Sequence, residues 1–133
     1  MSYEERAVSI SLDADSSIGI YTGVPGQPGS ASPNGGKQYH FVKLTGAHTV
    51  GLSTAADDLS VGILQNKPQE AGAAATVAIF GVSNVVASDA INAGDLVAPT
   101  ANGDAVADAT NGKWMAIAPA AGAGELIPVL RVG

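Results

Sequence analysis

His40 and His48 are the only imidazoles in this chain, and cysteine is absent. Chemistry near neutral pH would have to begin with these two rings. Metal-binding pairs sit at i, i+2 on a strand or i, i+4 on a helix, because those spacings place both side chains on one face. Eight positions separate His40 from His48, with Gly46 between them, and this fits neither pattern. His40 lies in an aromatic, β-branched run and is expected to be a half-buried packing residue.

Other reactive groupings fail for specific reasons. Ser83 sits in GVSNV, which lacks the second glycine of a nucleophile elbow. Gly35-Gly36-Lys37 starts to look like a phosphate loop, but the first glycine position is Ala31 and Gln38 follows the lysine. Asp13-Ala14-Asp15-Ser16-Ser17 opens like a calcium loop. Its sixth position is Ile18, where the turn needs glycine, and its twelfth is Val24, where the ion needs an acid. Asp57 and Asp58 are adjacent, so their side chains diverge; a solvated turn with helix-start acids is expected there. Gly122-Ala123-Gly124 lacks the third glycine of a dinucleotide loop. No catalytic, cofactor-binding or metal-ligating set emerges, and the expectation is a protein that is not an enzyme and needs no cofactor.

Charge and composition bound the remaining classes. The chain has 133 residues, a net charge of −6, and six Lys/Arg scattered singly, so no basic stripe is available to displace counterions from phosphates. Direct nucleic-acid binding and attachment to an anionic membrane are not expected. No apolar run is long enough to span a bilayer, and the first residues lack the pattern of a signal peptide. Synthesis in the cytoplasm is the simplest expectation. Aromatics are only 5% of the chain, so the apolar content is mostly Ala and Val, which bury little area each. A thin core of this kind gains from a partner that covers more of it, and oligomerisation is expected on that ground.

The elements that would position any surface are strands. Residues 1–22 alternate weakly through Ala7, Val8, Ile10, Leu12, Ile18 and Ile20 and read as an extended N-terminal arm or an edge strand. Residues 23–36, GVPGQPGSASPNGG, read as a Gly/Pro/Ser-rich loop. Residues 37–133 form the β-rich body. Within it, Gln38 to Leu44 reads as a strand, and Ser53 to Leu59 as one helical turn capped by Ser53. Val61 to Leu64 is expected to pair with Thr76 to Val82, and Val85 to Ala87 to continue after a break at Gly81. Leu96 to Ala98 is stopped by Pro99. Asn102-Gly103 predicts a type I′ hairpin, and Asn111-Gly112 repeats the signal before a strand at Trp114 to Ala118. The last strand, Leu126 to Val132, carries Pro128 and is expected at an edge. Val61–Val82 and Met115–Val132 echo each other as hairpins. The fold class is all-β: a small antiparallel barrel or sandwich built from hairpins, with little or no helix.

The phrase AGDLVAPTANGDAV is locally similar to biotinyl and lipoyl carrier domains. Those need a lysine at the hairpin tip, where this chain has Asn102-Gly103-Asp104.

The order of phrases Val61-Gly62-Ile63-Leu64, Ala71-Gly72 before Thr76 to Val82, Ile91-Asn92-Ala93-Gly94-Asp95-Leu96-Val97, then the Trp114 and Glu125–Val132 strands, carries a family resemblance. Over residues 40 to 132 the chain resembles the small capsid decoration, or cement, proteins of tailed bacteriophages. The resemblance implies a homotrimer on the outer capsid surface of the virion, bound to the major capsid protein and stabilising the shell. The arm would make the capsid contact through Ile10, Leu12, Ile18 and Ile20. The arm and the loop depart from the family pattern. Two other readings stay open: another virion structural protein, such as a tail or head-fibre component, and a carbohydrate-binding β-module.

Overall fold

The computed structural model describes residues 7–18, 37–58, 60–68 and 71–133. These form nine strands and no helix: β1 (Ala7–Ala14), β2 (Phe41–Gly46), β3 (Thr49–Leu52), β4 (Ser60–Leu64), β5 (Ala74–Val86), β6 (Leu96–Pro99), β7 (Ala105–Ala107), β8 (Trp114–Ala116) and β9 (Leu126–Arg131). β5 organises the rest. It is 13 residues long, enough for its two halves to join different partners. Its first half pairs antiparallel with β1 and with β4, and Val82 to Val86 pair antiparallel with β9.

Five strands close a barrel in the order β1-β3-β2-β4-β5, with β1 returning to β5. Most pairings are antiparallel, as the hairpin-rich sequence suggests. β1 and β3 run parallel, which makes the barrel mixed. The order continues β5-β9-β8-β6-β7 as a second, smaller sheet.

Alternation along β2 and β4 explains why the chain has two cores. Val42 and Leu64 point into the barrel with Leu12, Ala14, Val50, Ala75 and Val77. Their neighbours Phe41 and Ile63 point the other way, against Trp114, Val97, Ile127, Val129 and Val85. Phe41 and Trp114 are the two largest buried side chains. An aromatic ring contributes roughly 150–250 Å² of buried surface, so this pair offsets much of the scarcity of large residues. Arg131 stacks its guanidinium 5.6 Å from the Trp114 ring centre, closing the outside of that core.

The described part of the expected arm, residues 7–18, is a strand and turn joined to the body. β1 lies along β5 from Ala7 to Asp13, and its end meets β3 at Asp13 and Ala14. The expected loop at 23–36 falls outside the described residues.

Several local expectations are corrected. The first body strand starts at Phe41 and not at Gln38, because Tyr39 takes a left-handed backbone (φ 64°) and turns the chain. Its N–H then donates to Leu64 O at 2.7 Å and its carbonyl accepts from Val86 N at 3.0 Å. No helical turn forms after Ser53. The Asp58 carboxylate accepts from the N–H groups of Thr54 (2.7 Å) and Ala55 (3.0 Å), which holds the segment as a tight turn.

The Asn102-Gly103 hairpin between β6 and β7 is present, but not as type I′. Only Gly103 has positive φ (78°) among the two, and its N–H closes on Thr100 O at 3.1 Å. This is the three-residue loop with a left-handed glycine at its end. Asn111-Gly112 joins no hairpin. β7 and β8 lie on opposite sides of β6, and Asp108 organises the crossing by accepting from Thr110 N and Asn111 N.

β9 is not an edge strand either. It is flanked by β5 and β8. Pro128 is tolerated because its carbonyl, accepting from Ile117 N at 2.9 Å, faces the β8 side, where β8 has already ended at Ala116. Its missing N–H falls on that same side, opposite Ile117, so only one bond at the end of the β8–β9 ladder is lost. The two echoing hairpins both form, as β4–β5 and β8–β9.

Two substitutions test this packing by thermal or chemical denaturation. A Cβ at Gly62 would overlap the Ala78 carbonyl across the β4–β5 pairing, so Gly62→Ala is expected to cost roughly 1–3 kcal/mol. His48 holds a left-handed conformation (φ 54°) in the β2–β3 turn, so His48→Gly is expected to gain roughly 0.5 kcal/mol. Unchanged stability in the first, or a loss in the second, contradicts these backbone assignments.

Candidate functional site

Polar groups singled out by type turn out to serve the fold. His40 is partly buried, with Nδ1 3.1 Å from Gln38 O. Burial pushes its pKa down and nearby Lys37 adds to this, while the Gln38 carbonyl and Asp104 oppose it. His48 is exposed at the far end of β2, and its carbonyl accepts from Asp13 N at 2.7 Å. Ser83 is buried. Its hydroxyl accepts from Gln65 Nε2 at 2.8 Å and donates to Asn84 O at 2.9 Å, with no base beside it.

The acids act as local ties. Asp58 is held below the usual carboxylate range chiefly by the Thr54 N–H, against a burial effect, with help from Lys43 Nζ at 3.1 Å. For Asp15, burial works upward, but the Ser17 and Thr45 hydroxyls and the Ser17 N–H outweigh it and leave the carboxyl lowered. The Thr45 hydroxyl donates at 2.8 Å and ties the end of β1 to the end of β2. Asp108 is lowered by the Asn111 N–H and side-chain amide and by the Thr110 N–H. Among the described residues no three His, Asp or Glu side chains converge as a metal site would need. A cavity of about 20 Å³ beside Phe41, Asp58, Ser60 and Trp114 has room for roughly one water. Ligand pockets are commonly several hundred Å³.

What the molecule presents instead is apolar surface on strands. Val8 (55% exposed) and Phe80 (62%) are direct cross-strand partners on β1 and β5, so their side chains are neighbours. Ile10, two residues along β1, is 37% exposed. Leu126 at the start of β9 and Ile117 after β8 are exposed at the other sheet.

The four arm residues expected to touch a capsid separate in the structure. Ile10 is accessible. Leu12 packs partly against the barrel core, and Ile18, 1% exposed, is inside it. Ile20 lies outside the described residues. Ile18 is therefore occupied by packing, because the turn after β1 folds back over the barrel end, where Ser17 Oγ accepts from Leu52 N at 2.8 Å. Sequence reasoning placed Val8 in the alternating arm but not among its anchors, and it missed Phe80. The run TVAIFGV identified a strand, but the face on which Phe80 lies depends on the irregular register between Val8 and Ser9, where Phe80 and Ala78 are successive partners.

No family model matches the sequence, and no curated protein does. The fold is similar to the crystal structure of the head fibre gp8.5 N base of bacteriophage phi29. The match covers 95% of this chain and 94% of that one, with a TM-score of 0.62 and 15% identity. At that identity the likeness shows a shared fold.

The pKa directions give a pH profile. His40 is lowered on folding, so the unfolded chain takes up the proton first, and stability falls as pH drops from about 6.5 toward the folded value. The lowered Asp15, Asp58 and Asp108 contribute stability above about pH 4, which is lost as pH falls through their folded values. Thermal unfolding followed from about pH 7 to 5 should show a decline that His40→Gln flattens, with the loss below about pH 4 retained. An unaltered slope in the variant would exclude His40 as its source.

Proposed function

We propose that this chain is a structural protein of a tailed-phage virion that attaches to the outside of the head, and that it has no catalytic role. The observation that carries the reading is the end-to-end likeness to the head fibre base, which spans nearly all of both chains. That likeness supports the head-fibre alternative more directly than the cement-protein reading. Both readings put the chain on the same outer surface. They differ in whether it bridges capsomers or seats an external appendage.

The physics of the surface is consistent with attachment. The chain is acidic, with a net charge of −6, and this favours a docking partner carrying positive charge at the contact. Exposed apolar strand residues such as Val8, Phe80 and Leu126 suit burial against a protein, and multivalent docking would turn weak single contacts into strong attachment. Docking on the major capsid protein as a homotrimer is the form the cement reading gives this; the head-fibre reading needs only attachment to the head.

The test is direct. Heads assembled without this protein are mixed with the purified chain, pelleted and imaged by electron microscopy. Added density at repeated positions on the outer shell is expected. Absence from the pellet, or binding to tails alone, contradicts the reading.

A further inference from the structure

Among the described residues β1 is joined to β3 only at its C-terminal end, so the barrel closes there and leaves the rest of β1 with a partner on one side. Among the described residues β3 meets β1 only at Asp13 and Ala14, so no strand lies beside the outer edge from Ala7 to Leu12. Hydrogen-bond directions identify the exposed backbone groups. Ala14 N donates to Ala73 O on the β5 side, while Asp13 N and Asp15 N donate to His48 O and Val50 O on the β3 side. Alternation along the strand then sends the polar groups of Ile10 and Leu12 to β5 and those of Ser9 and Ser11 outward.

Side-chain exposure follows the same gap. On the face of β1 that lines the barrel, exposure is 2% at Ala14, intermediate at Leu12, 37% at Ile10 and 55% at Val8. It rises as β3 is left behind, which is the behaviour of an interior face missing one wall strand. Exposed edges are normally guarded by charge, proline or a covering element. Ala7 to Leu12, AVSISL, contains neither a charge nor proline.

We propose that the outer edge of β1 is a strand-acceptor site for an extended segment of the head shell, which completes the barrel wall on docking. The segment has apolar residues facing Val8 and Ile10 and a basic residue near Asp13 and Asp15, which bound the gap. A strand is the occupant because the groups without a partner among the described residues are a row of backbone N–H and C=O beside half-covered apolar residues. A foreign segment fits better than a second copy because each copy carries −6 and has the same two aspartates, Asp13 and Asp15, around the end of β1. This inference rests on the head-attachment reading above.

The test uses the full chain and heads lacking it. Ser11→Pro removes the outward N–H and leaves the bonds to β5 in place, so it should fold with nearly the wild-type melting temperature. Its binding to heads should fall by roughly tenfold or more, while Ser11→Ala binds as wild type. Asp13→Asn should weaken binding by roughly twofold to fivefold at low salt. Wild-type attachment with undiminished Ser11→Pro binding overturns the edge site and spares the head reading. An unaffected Asp13→Asn overturns the basic segment. Wild type that does not attach overturns both readings. A large drop in melting temperature for Ser11→Pro, or a dimer mass lost in that variant, means that the chain itself or a second copy already fills the edge, and this too overturns the assignment. Ile10→Lys, which places a charge at the gap, is measured beside Ser11→Pro with the same expected loss of binding, and wild-type binding by this variant also overturns the site.

Discussion

A strand that serves two sheets must satisfy two hydrophobic faces and two sets of partners at once, and β5 carries that constraint here. From Ala74 onward it closes the barrel against β1 and β4; from Val82 it becomes the first strand of the second sheet. Val77 therefore belongs to the barrel interior and Val85 to the core around Trp114. The positive φ of Gly81 (87°) lies at the handover. Without β5 the molecule would be two small sheets, each too poor in large side chains to hold together alone.

Much of this was legible in the sequence. The β-branched runs between Gly- and Asn-rich turns gave the all-β class, the β4–β5 pairing and the β8–β9 pairing. What pattern alone did not reveal depends on tertiary neighbours. Pro128 looked like an edge marker because one missing N–H is unfavourable inside a ladder, yet it falls at the end of the β8–β9 pairing, where only a terminal bond is lost. Asn111-Gly112 looked like a hairpin because the dipeptide suits one, while Asp108 supplies a competing set of hydrogen bonds. The parallel β1–β3 pairing has no local signature, since it joins residues separated by the stretch 19–36.

Functional legibility divides along the same line. Residue types and spacing could be checked against known reactive constellations, because catalysis needs particular groups in particular relations. A binding surface has no such grammar. Ile10, Leu12 and Ile18 share an alternating pattern, but the barrel takes Ile18 and part of Leu12 and leaves Ile10 half-covered. Phe80 is exposed because a register irregularity opposite β1 places it beside Val8, and no periodicity in the sequence announces this. Folding thus decides which apolar residues are left for a partner.

β1 is held by β5 on one side and, among the described residues, has no partner from Ala7 to Leu12 on the other, and amide hydrogen exchange of the free protein measures both properties residue by residue. The N–H groups of Ile10 and Leu12 should be protected by β5, and those of Ser9 and Ser11 should exchange near the rate of solvated amides. Equal protection at all four positions would mean that the edge is already covered. Equal lack of protection would mean that β1 is not part of the barrel.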